Sequence, residues 1–562
     1  MPRQHRVASI RPALLALPLA LALAPATAFA ATYTVGPSGR QYTQLTTLFN
    51  TVNLAPGDVV LVDGNATYSG GVVVGDDDSG TAASPVTIRW TRAAGQTRPV
   101  LSGGTHTIKF QQSSNVVFEG FEVAGGSSTC IFNEADGTIV RDVLVRDCPS
   151  HGILGADQNS GSFTLEYSEV RGSGMGTTRH SIYMQNDQMV YPDAVLRLRY
   201  NYIHSGNGGI LMRTRYTRSE IYYNWFEGST NEEVEFIGPD CEAQKAGWTA
   251  GLRREDTDFV GNVVVHTSVW RNAIRMGGDL VGRSQGRVRL VNNTILFTGT
   301  GSIANAVDVR LGAESLEMHN NVIHRTSGST LQAVYELPAS EASQPYACSP
   351  QSREPWSSGR KVAGSNNWVK SGTGLVPSEW TSTHTGAAPG LVDIAARNLR
   401  PAAGSMLIDA ANASPTTPAA FPFPSPLLLP AYDPPQRAKL ALGSAVPRAV
   451  VGARLDIGAL EQAGGGSSAP VLREGSQPLV PPGTGVSSQG APVADSAASS
   501  PLASATVQAT PRAPSRSASQ RTALRLWWAA APAVRASPLA WLSLPFGSLL
   551  AMLGVGSQAA AP

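Results

Sequence analysis

The stretch that decides the fold begins with RLRYNYIH at residues 197–204, where hydrophobic and polar residues alternate up to Asn201. A short hydrophobic run follows that asparagine. The same arrangement returns as EIYYNWFEG (220–228), DFVGNVVV (258–265), RLVNNTIL (289–296), EMHNNVIH (317–324) and, more weakly, GSNNWV (364–369). Alternation in Val, Ile, Tyr and Phe is typical of β-strands, so each copy predicts strand structure around its asparagine.

The spacing of the copies predicts how they stack. Looser copies are centred on Gly120, Asp142 and Ser168, and successive copies from Gly120 to Asn321 lie 22, 26, 33, 23, 38, 31 and 28 residues apart. A short repeat that is lengthened by insertions of variable size is typical of stacked β-coils. In such a stack, aligned asparagines hydrogen-bond from one coil to the next. Helical repeats are the alternative, but the alternation favours strands. We therefore predict an all-β fold, a single-stranded right-handed parallel β-helix with a disordered C-terminal linker.

Composition limits the function classes. The 562 residues carry a formal net charge of +2, only 15% of them are charged, and 57 are glycine. A nucleic-acid-binding protein needs a basic stripe, which this composition does not provide, so we expect no nucleic-acid partner. Abundant glycine suits a solenoid, whose turns need residues that tolerate positive φ. We expect a monomer.

The N-terminus is typical of an export signal. Three arginines within the first eleven residues precede an apolar run from Ala13 to Ala24, and Ala28-Phe29-Ala30 provides a small-residue cleavage site. We predict a signal peptide over residues 1–30, cleaved after Ala30. The protein is then secreted, or lies at the cell surface or in the periplasm.

The cysteines agree with an oxidising compartment. Cys130 and Cys148 lie 18 residues apart, close to one coil, so they could be stacked neighbours. Cys241 and Cys348 lie in long polar insertions and could join two loops. The pairing cannot be read from sequence, and no spacing suggests zinc, so we expect a structural role for all four.

Changes in composition divide the rest of the chain. Residues 31–461 form the predicted β-helix, with a short amphipathic helix at Thr43–Val52 covering its first coil. Residues 338–390 interrupt the period. The Ser/Pro/Ala-rich segment 462–522 lacks large apolar residues, which predicts a disordered linker. The apolar tail, residues 523–562, contains an uncharged stretch of membrane-spanning length, and a membrane anchor and a docking tail remain equal alternatives for it.

Three motifs carry a resemblance to a known group of proteins. They are PGD at 56–58, SGTAASPVTI at 79–88 and DIGALE at 456–461, with NLRPAAGSMLIDA at 398–410 similar to a last coil. They resemble secreted bacterial right-handed β-helix proteins, including polysaccharide lyases of the chondroitinase B and alginate lyase type. The resemblance spans roughly residues 32–461. It implies an anionic, uronic-acid polysaccharide as substrate and DIGALE as a closing strand.

The same resemblance implies a calcium site. In the chondroitinase B type, an asparagine and two outward glutamates bind calcium, and an arginine lies on the next coil. Asn207, Glu233, Glu235 and Arg275 are similar to that set. That group also has a lysine shortly after the glutamates, whereas here Lys245 is displaced, so the identity of the base stays open.

The strand that follows each asparagine turn predicts the functional face. Aligning these strands by inward aliphatics places Ile153, Ile182, Ile210, Val234, Ile274, Val307 and Val334 inside. Side chains alternate along a strand, so their successors point outward. The predicted outward column is Leu154, Tyr183, Leu211, Glu235, Arg275, Asp308 and Tyr335, with a flanking column of Gln185, Arg213 and Arg310.

This cluster is the predicted site. The predicted catalytic residues are Arg275, Arg213, Tyr183 and His180, and the predicted substrate-binding residues are Arg215, Asp308, Arg310 and Tyr335. Removing a C5 proton from a uronate needs a cation near its carboxylate and a base such as Arg, His or Tyr. Aromatics predicted near the groove are Tyr216, Tyr222, Tyr223 and Trp225.

Other functions remain open on the same residues. Alternating charges down a column could be ordinary ion pairs between coils. C5 epimerisation begins with the same carbanion as β-elimination, and paired carboxylates could hydrolyse a glycosidic bond. A non-catalytic carbohydrate-binding or adhesive surface protein is the third alternative.

Overall fold

The computed structural model describes residues 30–238, 247, 255–278, 284–338 and 359–464. Three predictions lie outside the described residues: the signal peptide before Ala30, the fate of Cys241 and Cys348, and the nature of the linker and tail beyond residue 464. None of the helices within the described residues is long and apolar enough to cross a membrane.

The described chain winds into coils whose strands build three long parallel sheets, here called sheets A, B and C. Sheet A contains Thr32–Val35, Val59–Val62, Val86–Trp90, Val116–Glu119, Thr138–Arg141, Phe163–Glu166, Val195–Arg199, Arg218–Tyr222, Asp256–Val260, Arg287–Val291, Ser315–His319, Val362–Ser365 and Trp380–Thr381. Sheet B contains Thr67–Ser69, Val100–Ser102, Glu122–Ala124, Leu144–Arg146, Glu169–Arg171, Tyr202–His204, Trp225–Glu227, Val263–His266, Thr294–Phe297, Val322–Arg325, Trp368–Lys370 and His384–Gly386. Sheet C contains Val72–Val74, His106–Ser114, Thr129–Asp136, His151–Gly155, Ile182–Gln185, Met212–Arg215, Val234–Phe236, Asn272–Met276, Ile303–Val309 and Thr330–Glu336.

Neighbouring strands in each sheet come from successive coils, which is the topology of a single-stranded parallel β-helix. The predicted all-β, right-handed fold is therefore confirmed, and the helical-repeat alternative is wrong. Inward side chains such as Ile153, Ile182, Ile274 and Val307 pack into one continuous hydrophobic core. The period-2 alternation that the sequence showed is the alternation between this core and the outer faces.

The predicted asparagine ladder is present. Side-chain amides join the successive asparagines at 2.9–3.3 Å between Nδ2 and Oδ1, in the order Asn201, Asn224, Asn262, Asn293, Asn321 and Asn367. Each Oδ1 also accepts the backbone N–H of the asparagine one coil earlier, and the ladder begins where Ser168 N–H donates to Asn201 Oδ1. The buried turn between sheets A and B thus has its polar groups satisfied.

The predicted alignment of the two earliest copies is wrong by one residue. Gly120 and Asp142 have φ of 87° and 52°, and they occupy the left-handed position that immediately precedes the ladder position. Phe121 and Val143 stand at the ladder position in those coils and are fully buried. Apolar packing therefore replaces the amide ladder at this end of the solenoid.

Tyrosines occupy the left-handed position in the middle coils. Tyr167, Tyr200 and Tyr223 have φ of 50°, 61° and 57°, a conformation that is strained for a bulky residue. Their rings pack on one another, with 5.6 Å between the ring centroids of Tyr200 and Tyr223, and Tyr432 packs against both. This aromatic packing offsets the backbone strain.

Two further predictions hold near the N-terminus. The helix Leu45–Thr51 buries Leu45, Leu48 and Phe49 against the first coils, as predicted for a cap. Cys130 and Cys148 form a disulfide with Cα atoms 5.9 Å apart, which confirms them as stacked neighbours.

The C-terminal end differs from the prediction. The period continues through Trp380–Thr381 and His384–Gly386, so the last coil lies inside the supposed insertion. Asn398–Pro401, expected in the last coil, instead pairs antiparallel with Leu391–Asp393. DIGALE at 456–461 is not a strand.

DIGALE ends a segment that we call the C-terminal strap, residues 411–461. The strap packs along the outside of the solenoid, where Lys439 pairs with Asp142, Ser425 Oγ accepts from Arg289 at 3.1 Å, and Ala459 N–H donates to Thr294 at 3.0 Å. These contacts join residues that are more than 100 positions apart, which no local pattern can show.

Candidate functional site

The outer face of sheet C carries a column of functional side chains. Strand pairing aligns Leu154, Tyr183, Arg213, Glu235, Arg275, Asp308 and Tyr335 on successive coils. The prediction of Leu211 in this column is wrong, because Met212 rather than Ile210 pairs with Ile182 and Leu211 is buried. The predicted alignment of this strand with its neighbour was off by two residues. Because side chains alternate with a period of two, such an error leaves each side chain on the same face, so alternation alone could not detect it.

Arg213, Glu235 and Arg275 form an ion-pair row across three neighbouring strands. Arg213 Nε lies 3.0 Å from Glu235 Oε2, and Arg275 pairs with Glu235 Oε1. The Glu235 side chain is fully buried between them, whereas those of Arg213 and Arg275 are 13% and 22% exposed. A buried carboxylate thus fixes two guanidinium groups that reach the surface of the sheet.

Tyr183 lies beside this row, held by two arginines. Arg215, which is almost fully buried, donates from Nε to Tyr183 Oη at 2.9 Å and also bonds the carbonyl of Gly238. The guanidinium carbon of Arg213 lies 5.2 Å from the Tyr183 ring centroid. The structure therefore brings Arg213, Arg215 and Tyr183 together, with Arg213 in the central column and not in the flanking column to which the sequence assigned it.

His180 lies behind Tyr183 and is buried. Its Nδ1 accepts the backbone N–H of Ile210 at 3.1 Å, and its Nε2 lies 3.3 Å from Arg213 Nη1. Burial first, and then the charge of Arg213, lowers the pKa of His180 to about 2. Neighbouring His151 accepts the His180 backbone N–H, and burial lowers the pKa of His151 to about 4. Both imidazoles are thus neutral near pH 7, and His180 is a weak base.

Asp308 continues the column beyond Arg275. It is fully buried, and it accepts from Arg310 Nε at 2.8 Å and from Asn272 Nδ2 at 2.9 Å. Burial raises the pKa of Asp308, although Arg310 and Arg275 oppose that rise. Tyr335 pairs with Asp308 on the next strand and ends the column half-buried.

Glu233 has a different environment from Glu235. It is fully buried, and its Oε2 lies 2.6 Å from His266 Nδ1, while His266 Nε2 lies 2.7 Å from the carbonyl oxygen of Trp270. Burial raises the pKa of Glu233. Burial alone would lower the pKa of His266, but the Glu233 carboxylate raises it. The sequence did not reveal this buried pair, because its two members lie on neighbouring coils.

The residues expected to bind calcium do not fit that ion in this arrangement. Glu233 is taken up by His266, Glu235 pairs with two arginines, and the exposed Asn207 is seen only to donate its backbone N–H to Ser173. Within the described ranges no three His, Cys, Asp or Glu side chains are grouped to bind a metal.

The aromatic side chains differ from the prediction. Tyr216, Tyr222, Tyr223 and Trp225 are all buried, so they cannot contact a substrate in the groove. Trp270, which the sequence did not single out, is 43% exposed in the loop before Asn272–Met276. Phe132 and Leu154, both half-buried, extend the column in the other direction.

The column can therefore attract an anion and exchange a proton. It presents the guanidinium group of Arg213 next to a phenol that accepts a hydrogen bond from Arg215, and the guanidinium group of Arg275 two strands further along. A phenol held in place by such a donor is a group that can take part in general acid–base catalysis.

Similar proteins are found by structure and not by sequence. No protein-family model and no curated protein sequence matches the chain. Pectate lyase Pel9A aligns over 78% of this chain and 97% of its own, with 12% identity and a TM-score of 0.43. The parallel β-helix fold of this chain rests on its own strand pairing.

Two further solved structures align with this chain at similar sequence identity and TM-score. The lyase Pedsa3628 of family PL6, from Pseudopedobacter saltans, aligns over 64% of this chain and 91% of its own, with 12% identity and a TM-score of 0.36. XylC in complex with xylose aligns over 64% and 87%, with 9% identity and a TM-score of 0.40. At these identities and TM-scores the likenesses assign neither a reaction nor a substrate to this chain.

Proposed function

We propose that this protein cleaves an anionic, uronic-acid polysaccharide by β-elimination on the outer face of sheet C. The observation that carries the proposal is the grouping of Tyr183 with Arg213, Arg215 and Arg275 within four successive strands of sheet C. It supplies a proton-transfer group and surface cations within one small area. The disulfide Cys130–Cys148 supports a working place in an oxidising, extracytoplasmic compartment.

Charge supports an anionic substrate. The column and its flank contain four arginines, at 213, 215, 275 and 310, and two carboxylates, Glu235 and Asp308. Both carboxylates are fully buried, whereas three of the arginine side chains are between 13% and 29% exposed. A substrate approaching this face therefore meets mainly positive charge, which steers and binds uronate carboxylates.

The chemistry follows from this arrangement. Arg213 and Arg275 bind the carboxylate of one sugar, which stabilises the negative charge that develops when the C5 proton leaves. Tyr183, in phenolate form beside Arg215, removes that proton. The C4–O bond then breaks, a C4–C5 double bond forms, and the departing oxygen takes up the proton from the Tyr183 hydroxyl. His180 acts as a neutral support for Arg213 and Tyr183 because its pKa is too low for a base at pH 7.

The test is the ultraviolet absorbance of the unsaturated uronate product. We expect it to rise when the protein is incubated with alginate, pectate or chondroitin. Tyr183→Phe should lower kcat by about 10²–10⁴-fold, because a positioned proton-transfer group contributes about that factor. Arg275→Ala should lower kcat/KM by about 10²–10³-fold through lost charge stabilisation.

Matched controls separate these effects from general damage. Arg89→Ala removes an exposed arginine on sheet A, and Tyr42→Phe removes a hydroxyl near the N-terminal helix. Both should retain full activity. Unchanged activity in Tyr183→Phe and Arg275→Ala would refute the proposed site. New reducing ends without absorbance would instead identify hydrolysis, and Asp308 would then be the first carboxylate to replace.

A further inference from the structure

The loop of residues 267–271, which we call the Trp270 loop, presents apolar surface beside the site. It joins Val263–His266 of sheet B to Asn272–Met276 of sheet C. Val269 is 74% exposed and Trp270 is 43% exposed. Large apolar side chains on a surface often mark a binding site, particularly when one of them is a tryptophan.

The preceding coil fixes one side of this loop. His266 Nε2 lies 2.7 Å from the Trp270 carbonyl oxygen, and His266 Nδ1 lies 2.6 Å from buried Glu233. Ser268 Oγ accepts the Trp270 backbone N–H at 3.1 Å. Glu233 therefore holds His266, and His266 holds the backbone of Trp270.

The following coil fixes the other side. A Cβ atom at Gly299 would lie 2.0 Å from the Ser268 carbonyl oxygen, and one at Gly301 would lie 2.8 Å from that of Val269. Only glycine allows the next coil to approach this closely. Asn305 N–H also donates to Arg271 O at 2.8 Å, and Ile303, which is 39% exposed, begins the strand that pairs with Asn272–Met276.

The Trp270 loop thus combines a fixed backbone with exposed apolar side chains. Fixing a binding group in advance reduces the entropy lost when a ligand binds. Trp270 is five residues before Arg275, which limits the separation of their Cα atoms to about 17 Å at ~3.3 Å per residue. A short oligosaccharide bound at Arg275 can span that distance.

We propose that Trp270, with Val269 and Ile303, is a sugar-binding platform for the same polysaccharide chain that the arginines bind. The proposal rests on the function proposed above, and it assigns the binding of a more distant sugar to this platform. The apolar face of the sugar packs on the indole, as aromatic rings allow. Continuity with the arginine column makes a polysaccharide the occupant rather than a second copy of this chain.

The pair Glu233–His266 is assigned a positioning role. It does not contact the sugar but holds the Trp270 backbone in the binding position. This explains why two ionisable side chains are buried together beside the column, an arrangement that costs desolvation energy unless it is well bonded.

Binding is measured directly, so that the result does not depend on cleavage. Titration calorimetry with Tyr183→Phe as the background protein should detect alginate, pectate or chondroitin oligosaccharides. Trp270→Ala should weaken binding of long oligosaccharides about tenfold or more and leave the shortest ones unchanged. Trp270→Phe should retain most of the affinity. Val446→Ala, an exposed apolar position on the C-terminal strap, is the matched control and should bind as the background does.

The results separate the two proposals. Weaker binding in Trp270→Ala without any unsaturated product would support the platform and refute the lyase. Cleavage by the wild-type protein with equal binding by Trp270→Ala would refute the platform and leave the lyase. Absence of oligosaccharide binding would refute the platform. The platform would also be refuted if Trp270→Ala changed only the oligomeric state and not the binding of oligosaccharides.

A double variant tests the positioning role. His266→Gln should weaken binding of long oligosaccharides, and adding it to Trp270→Ala should weaken binding no further. In active protein, His266→Gln should raise KM for long substrates with little change in kcat. Additive losses, or an equal fall in kcat for all chain lengths, would show a general structural role instead.

Discussion

At the scale of single residues, the low pKa of His180 predicts how the stability of the protein depends on pH. Its pKa in the folded protein is about 2, whereas an ordinary histidine titrates near 6.5. Between these values the unfolded chain binds a proton that the folded protein does not, so stability falls as pH decreases from about 6.5. One such group contributes at most about 1.4 kcal/mol per pH unit.

His180→Asn keeps an acceptor for the Ile210 N–H but cannot titrate. We expect its free energy of unfolding to fall less steeply than that of the wild-type protein between pH 6 and pH 4. Urea unfolding at a series of pH values measures both slopes. Equal slopes would show that His180 is protonated in the folded protein as readily as in the unfolded chain.

Residues that repeat were predictable, and residues that act through a partner on another coil were not. Asn201 and its successors were found because they recur at one place in each coil. Arg213 was assigned to the flanking column because Ile210 and Met212 are two residues apart, so alternation allows either of them to be the inward residue. His266 received no role, because its partner Glu233 lies one coil earlier and nothing in the local sequence links them.

At the scale of elements, the C-terminal strap contains a buried ion pair near its end. Arg448 lies 2.6 Å from Glu461, and it also donates to the carbonyl oxygens of Gly458 and Asp456. Burial raises the pKa of Glu461, with Arg448 opposing that rise. A buried carboxylate that loses its partner costs about 3–5 kcal/mol.

Arg448→Met should therefore release the end of the strap while the coils remain folded. Limited proteolysis should cut this variant within residues 411–461 much faster than the wild-type protein. Arg448→Met combined with Glu461→Leu removes both charges and should restore most of the resistance, since a buried ion pair is often replaceable by apolar residues. Equal resistance of Arg448→Met and wild type would show that other contacts hold the strap.

The strands were predictable because the alternation of apolar and polar residues within each strand shows which side chains face the core. The strap was not, because its contacts are irregular and distant in sequence. DIGALE was expected to close the solenoid as a strand, but it bonds to the outside of the ladder turns, where Asn292 Nδ2 donates to the Asp456 and Gly458 carbonyls. The last coil was missed because Trp380–Thr381 and His384–Gly386 are too short to show a period.

At the scale of the whole molecule, the repeat period was sufficient to predict the architecture. Most coils contribute one strand to each sheet, and no coil can bury its apolar side alone, so stacking follows from the pattern. The candidate face followed as well, because parallel stacking places equivalent residues in columns. The reaction did not follow, since a fold of this kind supports many activities and only side-chain geometry distinguishes them.

A stacked molecule must also protect its ends. The first strands of sheets B and C, Thr67–Ser69 and Val72–Val74, have unpaired edges, and the helix Leu45–Thr51 packs against both. Leu48 on its inner face is fully buried. An uncovered sheet edge pairs readily with another chain, so the helix should prevent end-to-end association.

Leu48→Lys should detach this helix and make the protein associate as its concentration rises, which light scattering after size-exclusion chromatography measures. Thr47→Lys places the same charge on the exposed face of the same helix and should remain unassociated, so it separates loss of the cap from a change in net charge. If Leu48→Lys stays in the same state as Thr47→Lys although its thermal unfolding temperature falls, the helix stabilises the first coils without guarding their edges.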